Sequence, residues 1–259
     1  MGLFDAFKKK NCDICGGEIG LLGNRKLEDG NMCKNCAKKL SRWFDERRHS
    51  TIAQINEQLA YREANKERVA AFNVTREFGE LDKLWLDEDK QQLLVTSSGK
   101  IAEENPDVVD FSQVTGCELD VHEHRTEEKR TDKDGKQVSY NPPRYTYHYD
   151  FSIIITVNHP WFDDMKFRLN RRTVDVVPPP GRVINFSMTS PGQRSYEYRE
   201  YADLGKEIKA AILEARSDAR KTAAEAAAPK TAVTCPYCGA TTMPDANGCC
   251  EYCGGAVNS

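Results

Sequence analysis

The sequence has no long hydrophobic run. Its best uncharged apolar stretch, Phe151-Ser152-Ile153-Ile154-Ile155-Thr156-Val157, falls far short of the roughly 20 residues a membrane-spanning helix needs. It also lacks an excess of either charge. Lys and Arg number 37 against 40 Asp and Glu, for a net charge of −3 over 259 residues. The totals therefore do not imply a dominant polyanion-binding surface, although a local patch stays open. No GxSxG, Walker loop, GxGxxG leading into a helix, or HExxH is present, so no familiar catalytic constellation can be read. Aromatic residues are not scarce. The 10 Phe, 10 Tyr and 3 Trp supply one genuine core and exclude a wholly disordered chain.

The first ten residues, Met1 to Lys10, place their lysines after Leu3, Phe4 and Phe7, the reverse of a secretory signal. Ala6 stands where a myristoylation signal has Ser or Thr. These features predict a cytoplasmic protein. Leu3, Phe4 and Phe7 make one amphipathic turn, expected to dock on its own fold, with peripheral membrane contact as the alternative.

Ten cysteines are present, and nine fall in two tight clusters near the ends. Cys12-Asp13-Ile14-Cys15 is followed by Cys33-Lys34-Asn35-Cys36, and Cys235-Pro236-Tyr237-Cys238 by Cys250-Glu251-Tyr252-Cys253. Paired CxxC motifs at these separations supply the four thiolates of a tetrahedral zinc site. Each pair turns tightly enough to aim both sulfurs at one ion, and the intervening residues bring the second pair to its other side. Gly16, Gly239 and Gly254 directly follow three of the four pairs, where a positive φ would ease the turn. Disulfides are the competing reading, and a reducing compartment argues against them. A thioredoxin-type redox site needs its CxxC at a helix start within a βαβ unit, which neither cluster offers. The expected cofactors are therefore two structural Zn2+ ions, on Cys12, Cys15, Cys33 and Cys36 and on Cys235, Cys238, Cys250 and Cys253. Cys250 is preferred over Cys249 because Cys250-Glu251-Tyr252-Cys253-Gly254 repeats the pattern of Cys235-Pro236-Tyr237-Cys238-Gly239.

The run from Cys12 to Cys36, loop residues included, resembles the DUF4428 family of uncharacterised bacterial zinc-ribbon domains over about the first 45 residues. The C-terminal segment resembles a generic zinc ribbon. Membership would imply a bacterial cytosolic protein with a four-cysteine metal site, without implying any particular activity.

Between the cysteine clusters, Thr51 and Gln54 mark a capping-box helix start, and Ile52, Ile55, Leu59, Val69 and Phe72 carry helical spacing with a break. A pair of amphipathic helices is expected there. Beyond Lys83 the period becomes two. Leu84-Trp85-Leu86 and Leu93-Leu94-Val95 flank an acidic turn, and alternation recurs at Cys117–Val121, Tyr145–Ile153 and Met165–Leu169. Asp134-Gly135 and Asn158-His159-Pro160 mark further turns, and Val183–Phe186 reads as one more strand. Tyr198, Tyr201, Leu204, Ile208 and Ile212 form the stripe of a last helix. This order of antiparallel strands and a closing helix resembles a bacterial pleckstrin-homology-like domain. The expected fold class is α+β and multidomain: a PH-like β-barrel with a closing C-terminal helix, flanked by two small zinc-ribbon modules. The expected divisions are a zinc module at 1–48, a helical connector at 49–82, the PH-like domain at 83–216, an Ala-rich linker at 217–233 and a zinc ribbon at 234–259.

His122 and His124 share a strand face with Glu118 and Asp120, which reads as a solvated face more readily than as a metal site. Tyr145, Tyr147 and Tyr149 read as packing residues before they read as base-stacking ones. Cys117 reads as a core residue. Residues 1–48 hold eleven Lys or Arg against seven Asp or Glu. The expected function is that of a non-enzymatic zinc-binding adaptor with a protein partner and no small-molecule substrate. Nucleic-acid binding through the basic N-terminal module is the alternative, and thiol oxidoreduction a more distant one.

Overall fold

The computed structural model describes residues 10–178, 190–227, 232–245 and 248–257. The chain divides into two units, Met1–Arg216 and Ser217–Ser259. The strand expected at 183–186 and the amphipathic turn at Leu3 to Phe7 lie outside the described residues.

The first unit opens with two short antiparallel ladders. β1 (Lys10–Asn11) pairs with β2 (Glu18–Ile19), and β3 (Asn24–Lys26) pairs with β4 (Asn31–Cys33), which runs directly into α1 (Lys34–Ala37). So small a module cannot enclose a core alone. Its buried Ile19, Leu27, Met32 and Leu40 are closed over by Ile55 of α2 (Ile52–Ala71), with Ile52 and Leu59 packed alongside. Asp29, at the tip of the β3–β4 hairpin, accepts a hydrogen bond from the Ile52 amide at 2.8 Å, and so caps α2 from outside the helix. Thr51 and Gln54 complete the expected capping box.

The expected helix pair is one continuous helix of 20 residues. The break in its apolar periodicity is filled by buried polar groups. Arg62, on α2, donates to Asp107 at 2.7 Å and to the carbonyls of Asn105 and Lys39. Asn65 donates to Asn105 and to the Pro106 carbonyl, both at 2.8 Å, and accepts from the Val108 amide at 3.1 Å. Ser41 of the cysteine module donates to the same Asp107 at 2.8 Å. The second half of α2 thus clamps the first module to the 105–108 segment. Arg62, Asn65, Asp107 and Ser41 are tolerated there because each has a partner.

Below that clamp, β5 (Arg76–Phe78), β6 (Lys83–Asp87) and β7 (Gln92–Thr96) form an antiparallel sheet. The short helix α3 (Ile101–Glu104) follows, and β8 (Val109–Asp110) completes the sheet in the order β5-β6-β7-β8. Leu94 and Val108 pack with Val69 of α2. The acidic-turn hairpin expected around Asp87–Lys90 is the β6–β7 pair.

A second sheet is built on a long hairpin of β9 (Val114–Thr131) and β10 (Gln137–His159), turning at Gly135 with φ +80°. On the other edge of β10 lie β11 (Phe162–Arg168) and, further along, β12 (Val174–Val176). Cys117, Tyr149, Phe151, Ile153, Ile155, Met165 and Phe167 fill the buried face, as alternation requires. Between Glu118 and His148 no residue of the hairpin is buried. The expected barrel does not close. No ladder joins the two sheets among the described residues: β9, β11 and β12 all pair with β10, and none pairs with a strand of the first sheet. What exists is a mixed arrangement of helices and separate antiparallel sheets.

The last helix, α4 (Tyr196–Ala227), packs its expected stripe onto the second sheet. Tyr198 meets Tyr149 and Phe151 edge-on at 4.8 and 5.0 Å, and Ile208 and Ile212 are fully buried. At Gly205 the helix comes so close to β9 that a Cβ would lie 2.4 Å from the Leu119 side chain.

In the second unit, β13 (Val233–Thr234) pairs with β14 (Thr241–Thr242). Among its described residues the buried cluster is Cys235, Cys250 and Val257, with Val233 alongside. Among the described residues no helix is long and apolar enough to cross a membrane.

Candidate metal centres

The eight cysteines singled out from spacing come together as two groups of four. Within each group the sulfurs all lie within 4.8 Å of one another. No disulfide joins them. Tetrahedral coordination with Zn–S bonds of about 2.3 Å sets sulfur–sulfur edges of about 3.8 Å. The observed separations fit: Cys15 to Cys33 is 3.8 Å, Cys235 to Cys253 is 3.5 Å and Cys238 to Cys250 is 3.8 Å. The two four-cysteine groups are thus compatible with two zinc sites.

Three of the four CxxC pairs share one local device. In each, the amide after the pair donates back to the carbonyl of the first cysteine: Gly16 to Cys12 at 2.7 Å, Gly239 to Cys235 at 2.9 Å, Gly254 to Cys250 at 2.8 Å. The first cysteine's own amide donates across the turn to the carbonyl five residues on, in Gly17, Ala240 and Gly255. The three glycines sit at φ +72°, +73° and +71°, a region costly for other residues. Gly after the pair was therefore an informative signal in the sequence.

The fourth pair lacks that glycine and behaves differently. Cys33 is the N-cap of α1, and its sulfur accepts from the Cys36 amide at 3.4 Å. The Cys33 amide in turn donates to the Cys12 sulfur at 3.2 Å. The first centre joins a turn to a helix start, where the second joins two turns. Cys36-Ala37 in place of Cys-Gly carried this distinction in the sequence, and spacing alone missed it.

The surroundings bias the thiols unequally. Burial pushes Cys12 up, yet amides of Cys33, Cys15 and Ile14 outweigh it and hold the thiol down to about 6. Burial and the neighbouring sulfurs push Cys36 up. In the second centre burial acts against Cys250, but amides of Tyr252 and Cys253 hold it down to about 7. Cys253 receives an amide from Gly255 that acts downward, and the sulfurs of Cys235 and Cys238 still raise it to about 12. In each centre, amides pointing at sulfur favour thiolate, the form that ligates metal.

Cys249 does not join the second group. Its amide donates to Asp245 at 2.8 Å and its backbone bridges to Ala256, which turns Cys250 toward the other three sulfurs. Cys117 is buried, which raises its thiol to about 11. His122 and His124 share a face, with rings 6.0 Å apart, but converge with no carboxylate into a metal-binding group. His124 stacks instead on His148 of β10 at 4.6 Å, and His148 is held by Asp175 at 2.7 Å and Thr126 at 3.1 Å. Tyr149 is buried, whereas Tyr145 lies under the Arg125 guanidinium at 4.6 Å.

Residues 10–58 match the model of a family described as a domain of unknown function, DUF4428. The match includes the first four-cysteine group and ends within α2, just beyond Ile55, which closes the module's core. No curated protein and no solved structure matches the chain.

Proposed function

We propose that this chain is a non-enzymatic, zinc-stapled interaction protein, an adaptor whose surfaces recognise a protein partner. The observation that carries the reading is the donor set. Each group supplies four sulfurs, which fill a tetrahedral ion and leave no position for water or substrate. An ion so held contributes folding energy to segments with little core of their own, not Lewis-acid chemistry. Cys12, Cys15, Cys33 and Cys36 would hold one zinc, and Cys235, Cys238, Cys250 and Cys253 the other. A reducing compartment such as the cytoplasm suits eight thiolate ligands.

Metal analysis of protein purified without added zinc tests the reading. Two zinc per chain are expected, falling to one in Cys250→Ser and staying at two in Cys249→Ser. Loss of an ion in Cys249→Ser, or zinc-free protein with disulfides in its place, would contradict it.

Nucleic-acid binding is a second reading, and one observation favours it. Burial lowers the affinity of Arg47 for its proton, and the nearby guanidinium groups of Arg25 and Arg48 lower it further, so three cations cluster on the first module. In a salt-titrated DNA-binding assay, specific binding that disappears in Arg25→Ala and Arg48→Ala would replace the adaptor reading.

A further inference from the structure

A cleft of about 360 Å³ lies between the end of the first cysteine module and the β10–β11 turn. That is near the small end of ligand pockets, which run roughly 300–1,000 Å³. Its walls are aromatic. Phe44 and Trp161 meet edge to face at 6.2 Å, with Trp43 and Phe162 beside them. Its charged lining is of one sign, beside the neutral Ser50 and Gln54. Asp45 and Glu46 come from one side and Asp163 and Asp164 from the other, and no Lys or Arg lines it.

Those four carboxylates are exposed, and none has an ion-pair partner among the described residues. Less exposed carboxylates of this unit are paired: Asp82 with Arg42, Asp107 with Arg62, Asp110 with Arg68, Asp120 with Lys166. The turn that carries Trp161 is held from behind. The Trp161 amide donates to His159 Nδ1 at 3.3 Å, leaving Nε2–H to donate to the Tyr61 hydroxyl of α2 at 3.1 Å. His159 itself is buried and stacked on Phe162 at 4.1 Å. Burial disfavours its charged form, so it adds no positive charge to the cleft.

We propose that this cleft binds the cationic side chain of a lysine or arginine presented by a basic segment of a partner protein. The proposal rests on the interaction reading above and names the chemistry of the partner. An aromatic wall attracts an organic cation through the ring quadrupole, and the carboxylates add charge complementarity. The molecule does this internally as well: Arg42 lies over the Trp43 ring at 4.5 Å and pairs with Asp82 at 3.1 Å, and Arg76 lies over the Phe78 ring at 5.1 Å and pairs with Glu88 at 3.3 Å. A hard metal ion fits poorly, because it needs converging oxygens. Among the described residues only the two cysteine groups converge to metal-binding distances.

Titration of the full-length, zinc-loaded protein with acetylated, amidated peptides tests the proposal, read by tryptophan fluorescence and calorimetry. The probes are Gly-Lys-Gly-Arg-Gly, the same peptide with norleucine and citrulline in place of the cations, and free arginine amide. The basic peptide is expected to bind in a salt-sensitive manner, the neutral one not measurably. Binding should weaken about tenfold or more in Trp161→Ala and in Asp163→Asn/Asp164→Asn, and stay unchanged in Asp134→Asn at the hairpin tip. The exposed Asp→Asn pair keeps the test valid if Trp161→Ala does not fold. Equal binding of the neutral peptide, wild-type binding by the carboxylate variants, or arginine amide matching the basic peptide would each overturn the proposal. A specific partner that Asp163→Asn/Asp164→Asn still captures would overturn the cleft's role and leave the interaction reading intact.

Discussion

The two cysteine centres present the same donor set on unequal foundations. Behind the first stand Ile19, Leu27, Met32 and Leu40, closed by Ile55, with a helix cap from Asp29 and a polar clamp through Arg62. Behind the second, among the described residues, stand little more than Val257 and Val233. The comparison teaches that one ligand chemistry can play two energetic roles. In the first centre a metal would reinforce a module that already has a hydrophobic wall. In the second it would be most of what holds the segment together, because apolar burial there is too small to offset chain entropy.

Metal removal is the strongest way to break this comparison. Structural zinc in a small cysteine module is worth about 10–16 kcal/mol of folding free energy at neutral pH. On chelation, amides of 232–257 are expected to lose all protection from hydrogen exchange. Those of the first module should keep partial protection, chiefly at Leu27 and Met32 and along α2. Equal loss in both would show that the first core does nothing on its own.

A smaller effect is expected at the clamp. Arg62→Ala leaves Asp107 buried without its cation, a change that typically costs about 3–5 kcal/mol. Urea unfolding should show that loss in the first unit, while the zinc content of the second centre stays unchanged. A loss under about 1 kcal/mol would mean that the clamp is not needed to dock the module.

This clamp also shows why part of the fold was hidden in the sequence. Periodicity reports apolar burial, so Arg62 and Asn65 read as a gap and one helix read as two. Their partners, Asn105 to Val108, lie about forty residues away and give no local sign. The barrel expectation failed for a related reason. Alternation at Cys117, Tyr149, Ile153 and Phe167 reports which face is buried, but not which edges pair. By contrast, the metal-binding geometry was legible because CxxC followed by Gly is a local device whose conformation two amides and one positive φ determine. The acidic aromatic cleft was invisible, since its two sides are Trp43–Glu46 and Trp161–Asp164, joined only by the fold.

The smallest expected difference concerns acid. A thiol held below its ordinary value favours the folded state above that value, and the preference is lost as pH falls through the folded one. Cys250 reaches that point near 7 and Cys12 near 6. Protons compete with metal for thiolate, and the second centre has less core behind it, so on acidification it should release its metal first. A chromogenic metal-release titration of wild type beside Cys250→Ser assigns the two steps. Release in the opposite order would mean that the core behind the first centre does not protect it.

The central claim is that both centres are closed four-sulfur sites. X-ray absorption at the zinc edge of the native protein tests it most directly. A single shell of four sulfurs at about 2.3 Å is expected, with no nitrogen or oxygen neighbour. A light-atom ligand in either centre would reveal an open coordination position and contradict the purely structural role assigned to the metal.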